Sequence, residues 1–473
     1  HGKGPARTVR KDFSDSPLLF YFPSSPNNFP GNRVNVRLWP IIIVNDKIGD
    51  DVMSQNNMPK ESGIDKSLSF LREGYLYVLN RRRSFHSDVF ETRLLGKKAI
   101  CMGGQEATEL FYDPDKFVRR NAAPKRMLDT IIGRGSVLSL DGEAHKHRKA
   151  MFMSIMTPNE LDRLKQLTRQ EWQNAINKWT QQKEIILYDE AKLLMTKVAC
   201  QWAGVPISND VKELNNRAAL LSTLFESPAT MGVSFFKGKE ARNEAESWIV
   251  SVVTQVRDQK IVPDENTALH QFSWHRDEDG NLLPSPVVAV EILNILRPLV
   301  AIAIYICYVA LALHHHPEEA SKVQSSEKYA EMFIQEVRRY YPFFPVIPAL
   351  VKKDFTWKGF HFTKGTLTLL DVYGTNHDPK LWNNPGLFQP NRFEHWDGNP
   401  FSFIPQGGGD HYLGHRCAGE WITIDVMKIA LHFFVHHLTY ELPKQDLSYS
   451  LVNMPTLPKS KLILQNVKKL LAN

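Results

Sequence analysis

The run "LVAIAIYICYVALAL", Leu299 to Leu313, sets fifteen residues in a row without a charge. It is shorter than the roughly 20 apolar residues that cross a bilayer. A helix apolar on every side must then be buried on every side, which requires a large core of other helices around it. The chain can supply one: it has 473 residues, 42% hydrophobic and 23% charged, which are ordinary globular values. Apolar residues recur at three and four spacing in "KSLSFLREGYLYVLNRR", "NELDRLKQLTRQEWQNAINKWTQQ" and "KYAEMFIQEVRRYYP", and these segments predict helices. Strand-like runs such as "KKAICM" and "TLTLLDVYG" are few and short. No internal repeat is visible. The expectation is a mostly α fold with small β-sheets, one domain over residues 53–473. Residues 1–52, rich in Pro, Asn, Ser and Arg and without periodicity, read as an irregular or artefactual extension.

Charge and cysteine usage exclude several classes. The formal net charge is +7, yet Lys and Arg are scattered rather than gathered, which argues against a nucleic-acid partner. Cys101, Cys200, Cys307 and Cys417 stand far apart with no C-x-x-C, so neither a disulfide scaffold nor a zinc ribbon is expected. A reducing, cytoplasmic setting and a soluble chain without a transmembrane segment follow as expectations. "LWPIIIV" from Leu38 is too short for a signal sequence.

One cysteine is placed unlike the others. "FIPQGGGDHYLGHRCAGEWITIDVMK" sets Cys417 between a glycine-rich loop and a helical pattern. Two metal readings compete. His411, His415 and Cys417 spell H-x3-H-x-C, a possible zinc set with no fourth ligand at a suitable spacing. Alternatively Cys417 acts alone as a thiolate at the start of a helix, favoured by the helix dipole, with Gly419 leaving room for a flat group against the backbone. The second arrangement suits an axial haem ligand.

The string F-I-P-Q-G-G-G…H-R-C-A-G-E resembles the cysteine-ligand loop of the cytochrome P-450 superfamily. Glu336 and Arg339 in "QEVRRYYP" are similar to its E-x-x-R, and Arg392 in "PNRF" to its following arginine. The resemblance implies the cytochrome P-450 fold, a haem b between the long central helix and the loop, Cys417 as iron ligand, and a buried structural triad of Glu336, Arg339 and Arg392. His145 and Lys149 in "HKHRK" resemble the pair that meets the haem propionates, and Arg416 could do likewise.

The long helix departs from ordinary members, which carry an acid–alcohol pair there. "EILNILRPLVAIAIYICY" has Arg297 and Pro298 instead. That pair resembles the bacterial fatty-acid peroxygenase branch, as do "QGGG", "HRCAGEWIT", "PKRM", "DVYGTNHDP" and "MFMSIMTP". Arg297 also carries its own argument. A guanidinium in an apolar helix needs an anion, and Glu291 is six residues back. The anion is either a carboxylate from elsewhere in the fold or that of a ligand. Pro298 removes an N–H and frees the Asn294 carbonyl, opening the helix where an apolar chain could approach.

The resulting expectation is hydroxylation of long-chain fatty acids at the α or β carbon by hydrogen peroxide, without redox partners. The substrate carboxylate, clamped by Arg297, would serve as the acid–base group for O–O cleavage. Ile132, Leu138, Asn294 and Ala301 would line the pocket. By resemblance, decarboxylating relatives place His where this chain has Leu138, so terminal alkene is expected only as a minor product. A conventional redox-partner-dependent monooxygenase and a non-enzymatic haem or fatty-acid binding protein remain as alternatives.

Overall fold

The computed structural model describes residues 57–227 and 233–470, so the reading of residues 1–52 lies outside it. The apolar run sits within a longer helix, Ser285–His315. That helix is long and apolar enough to cross a membrane, but 94% of its most apolar stretch is buried inside the protein. Every residue from Leu299 to Leu313 is buried. The helix is covered by Leu187–Ala203, Val211–Glu226, Val233–Arg257 and Glu420–His436. The largest apolar cluster forms around it.

Local chemistry explains the surrounding boundaries. Pro158–Trp179 begins where the Thr157 hydroxyl accepts the Glu160 N–H, with Pro158 in the first turn, where a missing N–H costs nothing. Leu187–Ala203 ends at Gly204, whose φ of 76° is left-handed and whose added Cβ would strike Thr267. The "KSLSFLREGYLYVLNRR" segment is divided into Ser67–Glu73 and Leu76–Ser84.

Helices dominate and sheets are small. The five-stranded sheet runs Val89–Leu94, Lys97–Met102, Leu367–Asp371, Val346–Val351, Phe117–Val118, with only the Lys97–Met102 and Leu367–Asp371 pair parallel. "KKAICM" and the first half of "TLTLLDVYG" are therefore neighbours, and the second half turns into a short helix, Val372–Asn376. A three-stranded sheet joins Glu184–Ile186, Ile463–Lys469 and Leu438–Glu441.

Candidate active site

Cys417 precedes the helix Glu420–His436 rather than opening it. Its N–H donates to the Gln406 carbonyl at 3.1 Å, and the Gln406 amide nitrogen lies 3.8 Å from its Sγ. The same amide donates to Thr423 Oγ1 at 3.0 Å and its oxygen accepts from Arg338 at 2.9 Å. Arg338 and Arg416 both pair with Glu420, the first pair almost wholly buried. Burial and then the Glu420 charge push the Cys417 thiol up, against the Gly419 N–H, Lys149 and Arg338. The expected helix-terminus stabilisation of the thiolate is thus outweighed. A metal ion, which deprotonates a coordinating thiol, is needed to hold it as thiolate.

The loop is shaped for close approach. Gly407 has φ 88° and a Cβ there would come within 2.9 Å of the Tyr112 hydroxyl, whereas a Cβ on Gly419 would meet nothing within 4 Å. The zinc reading is corrected. Among the described residues no group of three or more His, Cys, Asp or Glu is placed to hold a metal. His415 stacks on His145 with centroids 3.8 Å apart and lies 3.7 Å from Asp141. His411 packs against Tyr412 and Trp421.

Cations collect around that histidine stack. Lys149 donates to the Arg416 carbonyl, and burial lowers its proton affinity while Cys417 opposes. His145 is pushed down to about 3 by burial and then by His415, so it stays neutral. Arg119, which the sequence did not single out, is buried over the Phe111 ring with Nε and Nη1 unpartnered. Its charge is felt at both His145 and His415. The open face at Gly419, the buried thiol and these cations fit a flat dianionic group such as haem: Cys417 would take the iron, and Arg119, Lys149 and Arg416 would meet its carboxylates.

Arg297, on the central helix, is close enough to feel the Cys417 charge. It is 7% exposed, its Nη1 has no hydrogen-bond partner, and no carboxylate pairs with it among the described residues. Burial, then the Arg242 charge, lowers its pKa to about 9, and the Cys417 thiolate opposes that shift. Glu291 is committed elsewhere, accepting from Arg148 Nη1 and the Val137 N–H, both at 2.8 Å, and from Asn294 at 2.9 Å. Asn294 also donates to Ser136 at 2.9 Å, leaving its oxygen unpartnered. These bonds strap the segment carrying Ile132 and Leu138 to the central helix. Ile132 ends a π-helical turn and is buried; Leu138 sits in a 3-10 turn and is 44% exposed. The helix continues through Pro298, and Ala301, buried, lies one turn beyond Arg297.

Glu336, Arg339 and Arg392 meet as a buried cluster. Arg339 forms a two-pronged pair with Glu336 at 2.7 and 2.8 Å, and Arg392 Nε reaches the same carboxylate at 3.1 Å. Arg339 and Arg338 are adjacent on the helix Glu327–Tyr340 but serve different partners, the triad and the cysteine loop.

A family model described as cytochrome P-450 matches residues 312–465. The structure of cytochrome P-450EX alpha (CYP152N1) with myristic acid is 52% identical, covers 87% of this chain and 99% of its own, and superposes with a TM-score of 0.85. Cytochrome P-450SP alpha (CYP152B1) in complex with (R)-ibuprophen is 43% identical over 86% and 99%, TM-score 0.84. A variant of cytochrome P-450 OleT in complex with arachidonic acid is 37% identical over 88% and 99%, TM-score 0.85. Likeness of this extent, on a fold with a cysteine loop facing a buried apolar helix, places the chain: it belongs to the cytochrome P-450 family, among the CYP152 proteins, and its cofactor is a haem with a cysteine thiolate ligand.

Proposed function

We propose that the protein is a fatty-acid peroxygenase, hydroxylating long-chain fatty acids at the α or β carbon with hydrogen peroxide, with Cys417 as the iron ligand and no redox partner. The observation that carries this reading is Arg297, a buried guanidinium with no anionic partner among the described residues, on the central helix and close enough to feel the Cys417 charge. Glu291 is spent on Arg148, Val137 and Asn294, which supports a ligand carboxylate as the partner. A guanidinium grips a carboxylate through two parallel N–H donors, fixing its orientation as well as its place.

The haem, when bound, supplies the oxidising chemistry of peroxide. The chain's residues do the rest. Arg297 fixes the acid end, so the α and β carbons, rather than remote ones, are presented for oxidation. The clamped carboxylate is itself the acid–base group that takes a proton from one peroxide oxygen and returns it to the other. Arg297 favours the ionised form of that carboxylate, the form that accepts the proton. Ile132 and Ala301 are apolar and exclude water from the acyl chain's first carbons. Lys149, Arg119 and Arg416 would neutralise the haem carboxylates, and Gln406, steadied by Arg338, would donate toward the thiolate. The central helix is buried inside the protein rather than presented to lipid.

The test is incubation of the purified holoprotein with a long-chain fatty acid and hydrogen peroxide, followed by product identification. Hydroxy acids oxidised next to the carboxylate are expected. Product formed only with NADPH and a reductase would overturn the reading in favour of a conventional monooxygenase, and ligand-dependent spectral change without product would reduce the protein to a binder.

A further inference from the structure

A second buried guanidinium, with no part in the catalytic proposal, acts on Arg297. Arg242, on the helix Val233–Arg257, is 2% exposed. Its Nε pairs with Glu246 at 2.5 Å, but among the described residues Nη1 and Nη2 have no hydrogen-bond partner. Its place is set by a glycine. Gly133, at φ 84°, follows Ile132, and a Cβ there would fall on Arg242 Nη2 and 2.7 Å from Val290 Cγ1. Arg242 therefore fills the space where a side chain at Gly133 would go, between the Ile132 turn and the central helix. Val290 precedes Arg297 by two helical turns on the same face, a rise of about 10 Å. Arg242 is also the foremost charge acting on Arg297, so the two guanidiniums are near neighbours.

The two arginines lack different things. Arg297 lacks a counter-charge. Arg242 has one in Glu246 and lacks only acceptors: its terminal nitrogens carry four N–H groups with nowhere to donate. Buried donors without acceptors are costly, and a ligand oxygen that meets them recovers that cost on binding. A second carboxylate is the wrong occupant because Glu246 already balances the charge. A neutral oxygen on the acyl chain is the right one.

We infer that the pocket is built for long-chain acids carrying a keto or hydroxyl oxygen along the chain, with the carboxylate at Arg297 and the chain oxygen at Arg242. This rests on the fatty-acid reading above and names the kind of fatty acid.

The experiment is titration of the ferric holoprotein, following the haem absorbance change on ligand binding. The probes are matched-length acids with no substituent, with a single keto group at successive positions, and with a second terminal carboxylate. One keto position should bind roughly threefold to tenfold tighter than the plain acid, and the dicarboxylate should gain nothing. In Arg242→Met the keto-to-plain ratio should fall to about one. Arg242→Lys, which keeps the charge but not the fork, should keep only part of it. The inference is overturned if no keto position gains in the unmodified protein, which is the result expected were the nitrogens simply hydrated, or if the ratio persists in Arg242→Met. Should the variants fail to bind haem, the ligand series on the unmodified protein still decides. Failure of the fatty-acid reading itself looks different: the plain acid would then produce no absorbance change at all.

Discussion

Arg339 and Arg297 are both arginines buried on helices, yet the protein treats them in opposite ways. Arg339 donates to both oxygens of Glu336 and to the carbonyls of Asn376, Pro385 and Leu387. Arg297 has no ion-pair partner among the described residues and an unpartnered Nη1. Burial is therefore not what separates a structural charge from a functional one. The supply of acceptors is. A saturated guanidinium can only hold the fold together, whereas an unsaturated one retains free energy that a ligand can release.

The strongest way to break this contrast is to compare what each cluster does for stability. Glu336→Ala strands Arg339 and Arg392 together in the interior and should cost about 3–5 kcal/mol, read as a lowered urea midpoint and poor haem retention. Arg297→Ala removes a charge that the free protein desolvates without compensation, so ligand-free stability should stay level or rise. Equal losses in the two variants would mean that Arg297 is held by partners as Arg339 is.

Turnover should show the reverse order. Arg297→Ala should lower kcat/KM for a long-chain acid about a hundredfold or more, the scale of a lost acid–base group and clamp together, while haem absorbance is retained. A small carboxylic acid added with a non-acid substrate should restore part of the activity. Near-normal oxidation of fatty acid by Arg297→Ala would remove the clamp from the mechanism.

The same contrast shows what a sequence can and cannot reveal. Arg297 is legible because its surroundings are contiguous: Leu296, Pro298 and Leu299 announce an apolar helix, and a charge inside it asks for a partner. The triad is legible only as a pattern, since nothing about Glu336 and Arg392 in isolation says that they meet. Arg119, Arg242 and Gln406 were invisible for a related reason. Each draws its meaning from residues distant in the chain: Arg119 from the His145–His415 stack, Arg242 from Gly133 and Val290, Gln406 from Arg338 and Cys417. Cys417 lies in the loop that the sequence predicts, but its electrostatics differ from those the sequence suggests. Its helix begins only at Glu420, and the carboxylate of that first residue works against the thiolate that the helix dipole was expected to favour.

Leu138, which we propose lines the pocket, offers the gentlest probe of it. It projects from the 3-10 turn Val137–Ser139, whose backbone is pinned by the Val137 N–H to Glu291, and it is 44% exposed. A substitution there should change the side chain without moving the turn, at a stability cost within about 0.5 kcal/mol. Leucine neither donates nor accepts a proton, so it offers no second hold on a carboxylate clamped at Arg297. Hydroxy acids should accordingly dominate the products of the unmodified protein, with terminal alkene minor. Leu138→His adds a donor to a site that still has bonding capacity and should raise the alkene share severalfold while leaving total turnover of the same order. The matching change beside Arg339 would find every acceptor already taken and alter no product. If the unmodified protein makes mostly alkene, or Leu138→His leaves the ratio untouched, product choice is governed by the shape of the apolar wall around Ile132 and Ala301 rather than by polar groups within reach of the carboxylate.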